Sequence, residues 1–241
     1  MPNTWIFYSK SIIRILLISV LVGSCNKDDA SSEEAADRPY TRYMLTGYGS
    51  YVEIPHRPAL NPEAGITLEG WVRLDNAAAG NVLITKKPEY KQGGYVVGVR
   101  EQDGEPVLYS YMGYEEGEQR AGHVPIQQWV HWAVTSDGRT RKHYINGKRV
   151  GEFAESGSVL IPSAEPLFLA KNVPAHTGMT ELRLWNIART QNAIKADMLK
   201  NITKPAAGLV AVWQLHHNAN DLIGGYHGVP HNNPTFKIWS D

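Results

Sequence analysis

The sequence predicts an all-β protein in which two antiparallel sheets stack into a jelly-roll sandwich. Two observations carry this prediction: many short segments alternate apolar and polar residues between turn residues, and one segment alone has helical spacing. The clearest β signal lies at residues 129–150, where Asp137-Gly138 and Asn146-Gly147 each favour a tight primed turn. Three antiparallel strands are therefore expected to lie side by side in this stretch.

The first residues are predicted to be a lipoprotein signal peptide rather than part of the fold. Lys10 and Arg14 flank and interrupt an apolar run, 12–22, that is too short for a stable membrane-spanning helix. The run ends in LVGSC, which resembles a bacterial lipobox, and Cys25 is the only cysteine of the chain. We expect a signal peptide over residues 1–24 and lipidation of Cys25, with a free thiol beyond an ordinary cleavage site as the alternative.

A polar, acidic segment follows Cys25. Residues 25–39 contain no large apolar side chain, so they cannot bury enough surface to fold and are predicted to be a flexible tether. Lys27-Asp28-Asp29 resembles the export signal that sends lipoproteins of Bacteroidota to the outer face of the outer membrane. The expected location is therefore the outer membrane, with a lipid anchor and exposure at the cell surface.

Residues 40–241 are predicted to form a single domain, because no linker rich in Pro, Gly or Ser divides them. The chain has 24 basic and 24 acidic residues, so it has no excess of positive charge that would attract nucleic acid. A nucleic-acid partner is not expected.

The predicted strands of this domain are short and separated by turn residues. They lie at 43–54, as two strands broken by Gly47 and Gly49, then at 66–74, 82–86, 94–100, 106–112, 129–150, 167–171, 179–187 and 209–215, with a closing edge strand at 235–239. The first strand of 129–150 is largely apolar on both faces, so it is expected in the middle of a sheet. The acidic residues 114–119 are predicted to form a loop.

One short helix is predicted at residues 191–200. Thr190 is a suitable N-cap, and Ile194 and Met198 lie four residues apart on one side of such a helix. A jelly roll with a single helix is the expected architecture.

Six sequence blocks follow one another in an order that is typical of one family. They are LTGYGSYV at 45–52, TLEGWV at 67–72, WVHWAVT at 129–135, YINGK at 144–148, TELRLWN at 180–186, and VAVW with DLIG at 210–213 and 221–224. Together they resemble the concanavalin A-like lectin/glucanase superfamily, in its laminin G-like branch, over about residues 40–228. The resemblance implies a two-sheet jelly roll and a role in binding carbohydrate or protein. In that family Trp129, Trp132 and His131 correspond to packing residues.

The chain departs from the family at the positions that bear on metal binding. Three positions that are commonly acidic there are Thr46, Asn146 and Thr180 here, and calcium sites need several hard oxygen ligands with negative charge. The histidines at 216, 217, 227 and 231 lack a patterned carboxylate or thiolate beside them. We predict no metal and no cofactor.

Catalytic signatures are also missing from the sequence. Glucanases of the superfamily use two glutamates spaced E-x-D-x-x-E on one strand, because two carboxylates must flank the glycosidic bond. This chain has no such motif and no G-x-S-x-G elbow, and Glu69 and Glu181 stand as single carboxylates on predicted strands. The prediction is a protein without enzymatic activity, with a glycoside hydrolase as the least favoured alternative.

Aromatic residues supply the candidate binding site. Sugars present apolar C–H faces, which stack on aromatic side chains and are oriented by a few polar groups. Tyr109 and Tyr111 lie two apart and hence on one strand face, with Tyr114, Glu115 and Glu116 in the loop that follows. The alternative is that the two tyrosines only cover the core or the sheet edge.

These observations favour a non-catalytic, lectin-like module of a cell-surface lipoprotein that captures glycans or mediates adhesion. Its expected partners are a poly- or oligosaccharide and, through the lipid anchor, a membrane. The alternative is a protein-interaction or structural subunit of an envelope complex, since laminin G-like domains also bind proteins.

Overall fold

The structure is a computed structural model of the 241-residue chain, and it describes residues 41–76, 81–87, 93–113, 117–156 and 160–238. The predicted signal peptide (1–24), the tether (25–39) and Cys25 lie outside the described residues. So do three of the candidate binding residues, Tyr114, Glu115 and Glu116. Their assignments stay predictions.

Within the described residues the chain forms fifteen strands, one α-helix and a short 3-10 helix at Pro58–Leu60. The strands are β1 (Arg42–Leu45), β2 (Tyr51–Ile54), β3 (Ile66–Arg73), β4 (Asn81–Thr85), β5 (Val96–Gln102), β6 (Glu105–Tyr111), β7 (Gln119–His123), β8 (Trp129–Ser136), β9 (Thr140–Ile145), β10 (Lys148–Ala154), β11 (Leu167–Leu169), β12 (Gly178–Trp185), β13 (Leu209–Trp213), β14 (Val229–His231) and β15 (Thr235–Ile238). The helix α1 is Gln191–Asp197.

The strands form two antiparallel sheets. Sheet A has the order β10-β9-β8-β3-β12-β1-β15, with β13 also paired to β12, and sheet B has the order β14-β2-β11-β4-β5-β6-β7. The two halves of the predicted strand pair at 43–54 enter different sheets, since β1 joins sheet A and β2 joins sheet B. The predicted two-sheet sandwich with one short helix is confirmed.

The core lies between the sheets and follows from the alternation of side chains along each strand. On β3, Ile66, Leu68 and Val72 point into it and are fully buried, and Leu83 and Val97 do the same from sheet B. Of the two tryptophans assigned to packing, Trp132 is fully buried, and Trp129 is partly buried with its ring edge to face with that of Tyr43. Trp71, Trp185 and Trp213 are also at most 5% exposed. Almost none of the surface of these buried rings is in contact with solvent.

The three-strand meander is present, and one of its two turns has the predicted geometry. Asn146 and Gly147 have φ angles of 48° and 71°, as a primed turn requires. In the other turn Asp137 does not have positive φ, and the loop includes Arg139 before β9 begins at Thr140. The Asp137 carboxylate accepts backbone hydrogen bonds from Arg139 (2.9 Å) and Thr140 (2.7 Å), which stabilises this longer loop instead.

Three further elements differ from the prediction. Strands β7 and β14 were not predicted, because QRAGH has no apolar alternation and VPH contains a proline, which a strand accepts only at a sheet edge such as this. The helix has its predicted N-cap, with Thr190 accepting a hydrogen bond from the backbone of Ala193, but it ends at Asp197. The reason for the early end lies in the side chains beneath it, described below.

Candidate functional site

Tyr109 and Tyr111 lie on the outer face of sheet B. Their neighbour Leu108 points into the core, so the two tyrosines share the opposite face of β6, as predicted. They line a cavity of about 480 Å³ together with residues from four other parts of the chain. The full lining is Val82, Thr85, Lys87, Val96, Arg100, Tyr109, Tyr111, Glu118, Glu165, Phe168, Lys171 and Asn172.

A glycine on the neighbouring strand makes room for the ring of Tyr109. Gly98 of β5 is directly opposite Tyr109 in the register. A Cβ atom at this position would lie 2.2 Å from the carbonyl oxygen of Asn81 and 2.6 Å from Cε1 of Tyr109. Only glycine therefore allows the tyrosine ring to lie across β5 at the bottom of the cavity.

Each aromatic ring of the cavity has a cation over it. The guanidinium carbon of Arg100 is 4.7 Å from the ring centre of Tyr109, and Nζ of Lys87 is 4.8 Å from that of Tyr111. Nζ of Lys171 is 3.9 Å from the ring centre of Phe168. These are cation–π distances, so the rings hold the positive groups in place at the cavity.

Tyr109 is only 3% exposed, and burial raises the pKa of its hydroxyl although Arg100 acts in the opposite direction. It stays neutral at physiological pH. Tyr111 is partly buried and offers more of its surface. The structure thus brings both predicted tyrosines to one cavity, where Tyr111 is more accessible to a ligand than Tyr109.

Acidic groups at the cavity are matched by cations. The Glu118 carboxylate contacts Arg100 at 3.0 Å and Arg120 at 2.5 Å.

A buried lysine lies next to the cavity. Lys86 is fully buried and donates a hydrogen bond to the backbone oxygen of Glu165, and its Nζ is 2.9 Å from Nδ1 of His56. Burial lowers the pKa of Lys86 to about 8, while the negative charge of Glu165 opposes this change. Lys86 fixes the backbone of Glu165 at the edge of the cavity.

The aromatic surface continues past the cavity toward the edge of sheet B. The rings of Tyr51 and His231 are stacked, 4.6 Å apart and 11° from parallel, and Tyr51 meets Phe168 edge to face at 5.9 Å. Sequence patterns missed His231 as a neighbour of Tyr51, because its strand β14 was not predicted. Position in the sheet, and not spacing in the chain, brings these rings together.

The outer face of sheet A carries the other group of charged residues. Glu69 is fully buried there, and its Oε1 accepts hydrogen bonds from Nε1 of Trp185 (2.8 Å) and from Arg189 (2.9 Å). Arg183 donates to the carboxylate of Glu181 at 3.1 Å and is itself 1% exposed. The expectation that Glu69 and Glu181 are single carboxylates is therefore wrong: both belong to one buried ionic network.

This network also explains where α1 ends. Arg183 donates to the backbone oxygens of Asp197 (2.9 Å) and Lys200, and Nε1 of Trp71 donates to that of Met198 (2.9 Å). Carbonyl groups at a helix C-terminus have no intrahelical partner, and here side chains of sheet A take that role. The helix is held against the sheet by its last turn.

A β-bulge places the arginine of this network. Thr180 pairs with Trp71 and Arg183 pairs with Glu69, so two residues of β12 oppose Gly70 alone. One of them, Glu181, has a φ of 51°, which is unusual for a residue with a side chain. The bulge turns Thr180 and Arg183 to the same face, and this puts Arg183 beside the acids.

His131 is buried beside the same ionic network on sheet A, and its ring is neutral. Burial lowers its pKa to about 3, and the positive charges of Arg183 and Arg189 act in the same direction. Its Nε2 is 3.8 Å from Oε2 of Glu69, and its ring meets Trp71 edge to face. The predicted packing role of His131 is confirmed.

The three positions at which the family resemblance implies acidic residues serve structural hydrogen bonds. Thr46 donates to the carbonyl of Pro174 (2.8 Å), Asn146 accepts from the backbone of His131 (2.9 Å), and Thr180 donates to Gln214 (2.8 Å). Across the part of the chain that the structure describes, no three or more His, Cys, Asp or Glu side chains are grouped as metal ligands. None of the helices in these same ranges has the length and apolar character needed to span a bilayer.

Comparison with known proteins gives a consistent picture of the fold. Residues 46–195 match the family described as the concanavalin A-like lectin/glucanases superfamily. Mouse pappalysin-1 is 28% identical over 190 residues, which are 70% of this chain and 12% of that protein. This chain therefore spans about an eighth of that relative's length.

Two solved structures share the sandwich. One is a proposed carbohydrate-binding protein from Bacteroides ovatus, with a TM-score of 0.67 and 19% identity over 83% of this chain and 60% of that one. The other is domain 4 of the extracellular arabinanase AbnA from Geobacillus stearothermophilus, in complex with arabinotriose, with a TM-score of 0.52 and 19% identity over 66% of this chain and 76% of that one. At these identities the likeness concerns the fold.

Proposed function

The chain belongs to the concanavalin A-like lectin/glucanases superfamily, and on this basis we propose that it is a non-catalytic, lectin-like module. The observation that carries the proposal is the cavity of about 480 Å³ on the outer face of sheet B. It combines aromatic rings with charged groups, as carbohydrate sites do. Two similar folds belong to a proposed carbohydrate-binding protein and to a domain solved with arabinotriose.

The non-catalytic part of the proposal rests on the state of the acids. A glycosidase needs two carboxylates about 5 Å apart, or more, that reach the bond to be cleaved. Glu69 and Glu181 are the acids that lie near each other on sheet A, but they are at most 1% exposed and contact arginines. At the cavity on sheet B, the Glu118 carboxylate is engaged in ion pairs with Arg100 and Arg120.

A glycan array probed with the purified protein tests the binding function. Retention of at least one poly- or oligosaccharide class is expected, without release of reducing sugar. An array on which the protein retains no glycan at all would remove the lectin proposal.

We further propose that Cys25 anchors the protein to the outer membrane at the cell surface. The support is the LVGSC sequence at 21–25 and the acidic segment after it. Acyl chains contribute about 0.8 kcal/mol per buried methylene, so several chains on one cysteine hold a protein firmly in a bilayer. The variant Cys25→Ala is expected to leave the membrane fraction, and unchanged partitioning would contradict the anchor.

The second candidate function is a protein-interaction subunit of the cell envelope. The feature that favours it is the pair of edge strands β14 and β15, where Val229 is 53% and Ile238 58% exposed. Exposed strand edges pair readily with a strand of another protein. Co-purification of one stoichiometric envelope protein, together with an empty glycan array, would favour this function over the first.

A further inference from the structure

We propose that the cavity on sheet B prefers anionic glycans, whose sugar units carry carboxylate or sulfate groups. This inference rests on the proposed carbohydrate-binding function and names the class of sugar. It follows from the positions of three cations, Lys87, Arg100 and Lys171, in relation to the rings of the cavity.

The ring faces are covered by positive groups. A neutral sugar stacks its C–H face on a bare aromatic ring. Here Tyr109, Tyr111 and Phe168 each have a cation within 4.8 Å of the ring centre, and Tyr109 is in addition almost fully buried. A neutral sugar would have to displace a cation to use these faces, whereas an acidic group can bind to the cation where it is.

Among the described residues, the two acids that line the cavity, Glu118 and Glu165, do not cancel the charges of Arg100 and Lys171. Glu118 already contacts two arginines, so the group formed by Arg100, Arg120 and Glu118 keeps one positive charge. Glu165 lies beside the buried ammonium group of Lys86, which donates a hydrogen bond to the Glu165 backbone oxygen. Among the residues that the structure describes, Lys171 makes no ion pair, and its ammonium group rests on Phe168.

The three cations are also accessible to solvent at the cavity. The Arg100 side chain is 40% exposed, and Lys87 and Lys171 line the cavity itself. An acidic sugar can therefore exchange water for a charge-assisted hydrogen bond at these groups without desolvating a deeply buried charge. Because the aromatic rings already orient the cationic side chains, these side chains lose less conformational entropy when a ligand binds.

The test compares polymers that differ only in charge. Binding of the full chain is measured by isothermal titration to polygalacturonate and to the same polymer after methyl esterification, which removes the carboxylate charge. A sulfated galactan and its desulfated form provide a second pair, which tells a carboxylate preference from a sulfate preference. The charged member of at least one pair is expected to bind roughly tenfold more tightly, equivalent to one charge-assisted hydrogen bond, and to weaken as salt screens the charges.

Charge-removing variants locate the effect. Lys171→Gln and Lys87→Gln are each expected to lower affinity for the charged polymer several-fold. Lys204→Gln removes the same charge from an exposed position outside the cavity and serves as the matched control, with affinity unchanged. Equal loss in all three variants would show only a general effect of net charge and would contradict the proposal.

The possible outcomes distinguish the anionic preference from the carbohydrate-binding function on which it rests. Equal binding of the charged and neutral polymers, unaffected by Lys171→Gln, would keep the carbohydrate-binding function and overturn the anionic preference. Absence of binding to every polymer, together with an empty glycan array, would overturn both. Tighter binding to a charged polymer that Lys171→Gln weakens and Lys204→Gln does not would support both.

Discussion

Both sheets of the sandwich have charged residues on their outer faces, but in very different surroundings. On sheet A, Arg183 and Glu69 are 1% and 0% exposed, beneath α1 and the chain around it. On sheet B, Arg100 and Glu118 keep 40% and 24% of their side chains exposed at the cavity. The same types of residue therefore meet nearly no water on one face and much water on the other.

Burial decides what each group of charges can do. Removing charges from water is costly, so those on sheet A are stable only because they form ion pairs and hydrogen bonds with one another and with backbone carbonyl groups. Glu69, Glu181 and Arg183 are at most 1% exposed, so a ligand in solution does not reach them. On sheet B, Arg100 and Glu118 at the cavity remain partly hydrated, contribute little to stability, and are available to exchange water for a ligand. Perturbed, buried ionisable groups are often taken as a sign of function, but Glu181 and His131 on sheet A are part of the packing between the sheet and α1.

The largest effect expected from a single substitution comes from breaking the buried network. Glu69→Gln keeps the shape of the side chain and leaves Arg183 and Arg189 without their shared acid. The free energy of unfolding should fall by about 3–5 kcal/mol, as when one partner of a buried pair is removed. Urea titration followed by tryptophan fluorescence measures it.

The control for Glu69→Gln is Glu152→Gln, which breaks a pair with Arg149 whose side chains are 44% and 50% exposed. A loss of about 1 kcal/mol or less is expected there. Similar losses of unfolding free energy in the two variants would mean that the buried network on sheet A stabilises the fold no more than an exposed ion pair does.

The second effect is a loss of stability in acid. Burial lowers the pKa of His131 to about 3 and that of His143 to about 4, from 6.5. The unfolded chain takes up both protons below about pH 6.5, but the folded chain does so only near pH 3 to 4. The free energy of unfolding should therefore fall as the pH drops through this window, by about 1.4 kcal/mol per pH unit for each histidine.

Urea titrations at several pH values between about 4 and 8 test this dependence. His143→Gln should make the slope less steep, whereas His123→Gln, at a site 53% exposed, should leave it unchanged. A slope that is the same in all three proteins would contradict the neutral state assigned to the buried rings.

The third effect concerns the bulge that positions Arg183. In Gly70→Ala the new Cβ would lie 2.3 Å from Cδ2 of Leu182, a fully buried side chain. Overpacking of this kind should cost about 1–3 kcal/mol, measured as a lower urea midpoint. The added substitution Leu182→Val removes the clashing atom, so Gly70→Ala should cost less in that background. An equal cost in both backgrounds would show that the clash is not the cause.

The sequence was a good guide where local chemistry decides the structure. The turn at Asn146-Gly147, the alternation of β3 and the Thr190 N-cap are all properties of adjacent residues, and each is present. Strands β7 and β14 have no such local signal, because pairing with a neighbour in space creates them.

The site is predictable only in part for the same reason. The shared face of Tyr109 and Tyr111 follows from strand periodicity, but the cations over the rings come from distant segments, such as Lys87 after β4. Likewise, Glu69 and Trp185 are 116 residues apart in the chain and share a hydrogen bond only because β3 and β12 are neighbours. Pairing of this kind leaves no pattern in a single sequence.

Ligand binding at the outer face of sheet B is tested most directly at Tyr111. Tyr111→Ala should change the free energy of unfolding by only about 1 kcal/mol, because the ring is partly exposed, but should lower affinity for the bound polysaccharide roughly tenfold. Tyr48→Ala, at a loop position 96% exposed and outside the cavity, is the matched control and should change neither quantity. Unchanged polysaccharide affinity in a folded Tyr111→Ala variant would contradict the assignment of ligand binding to the outer face of sheet B.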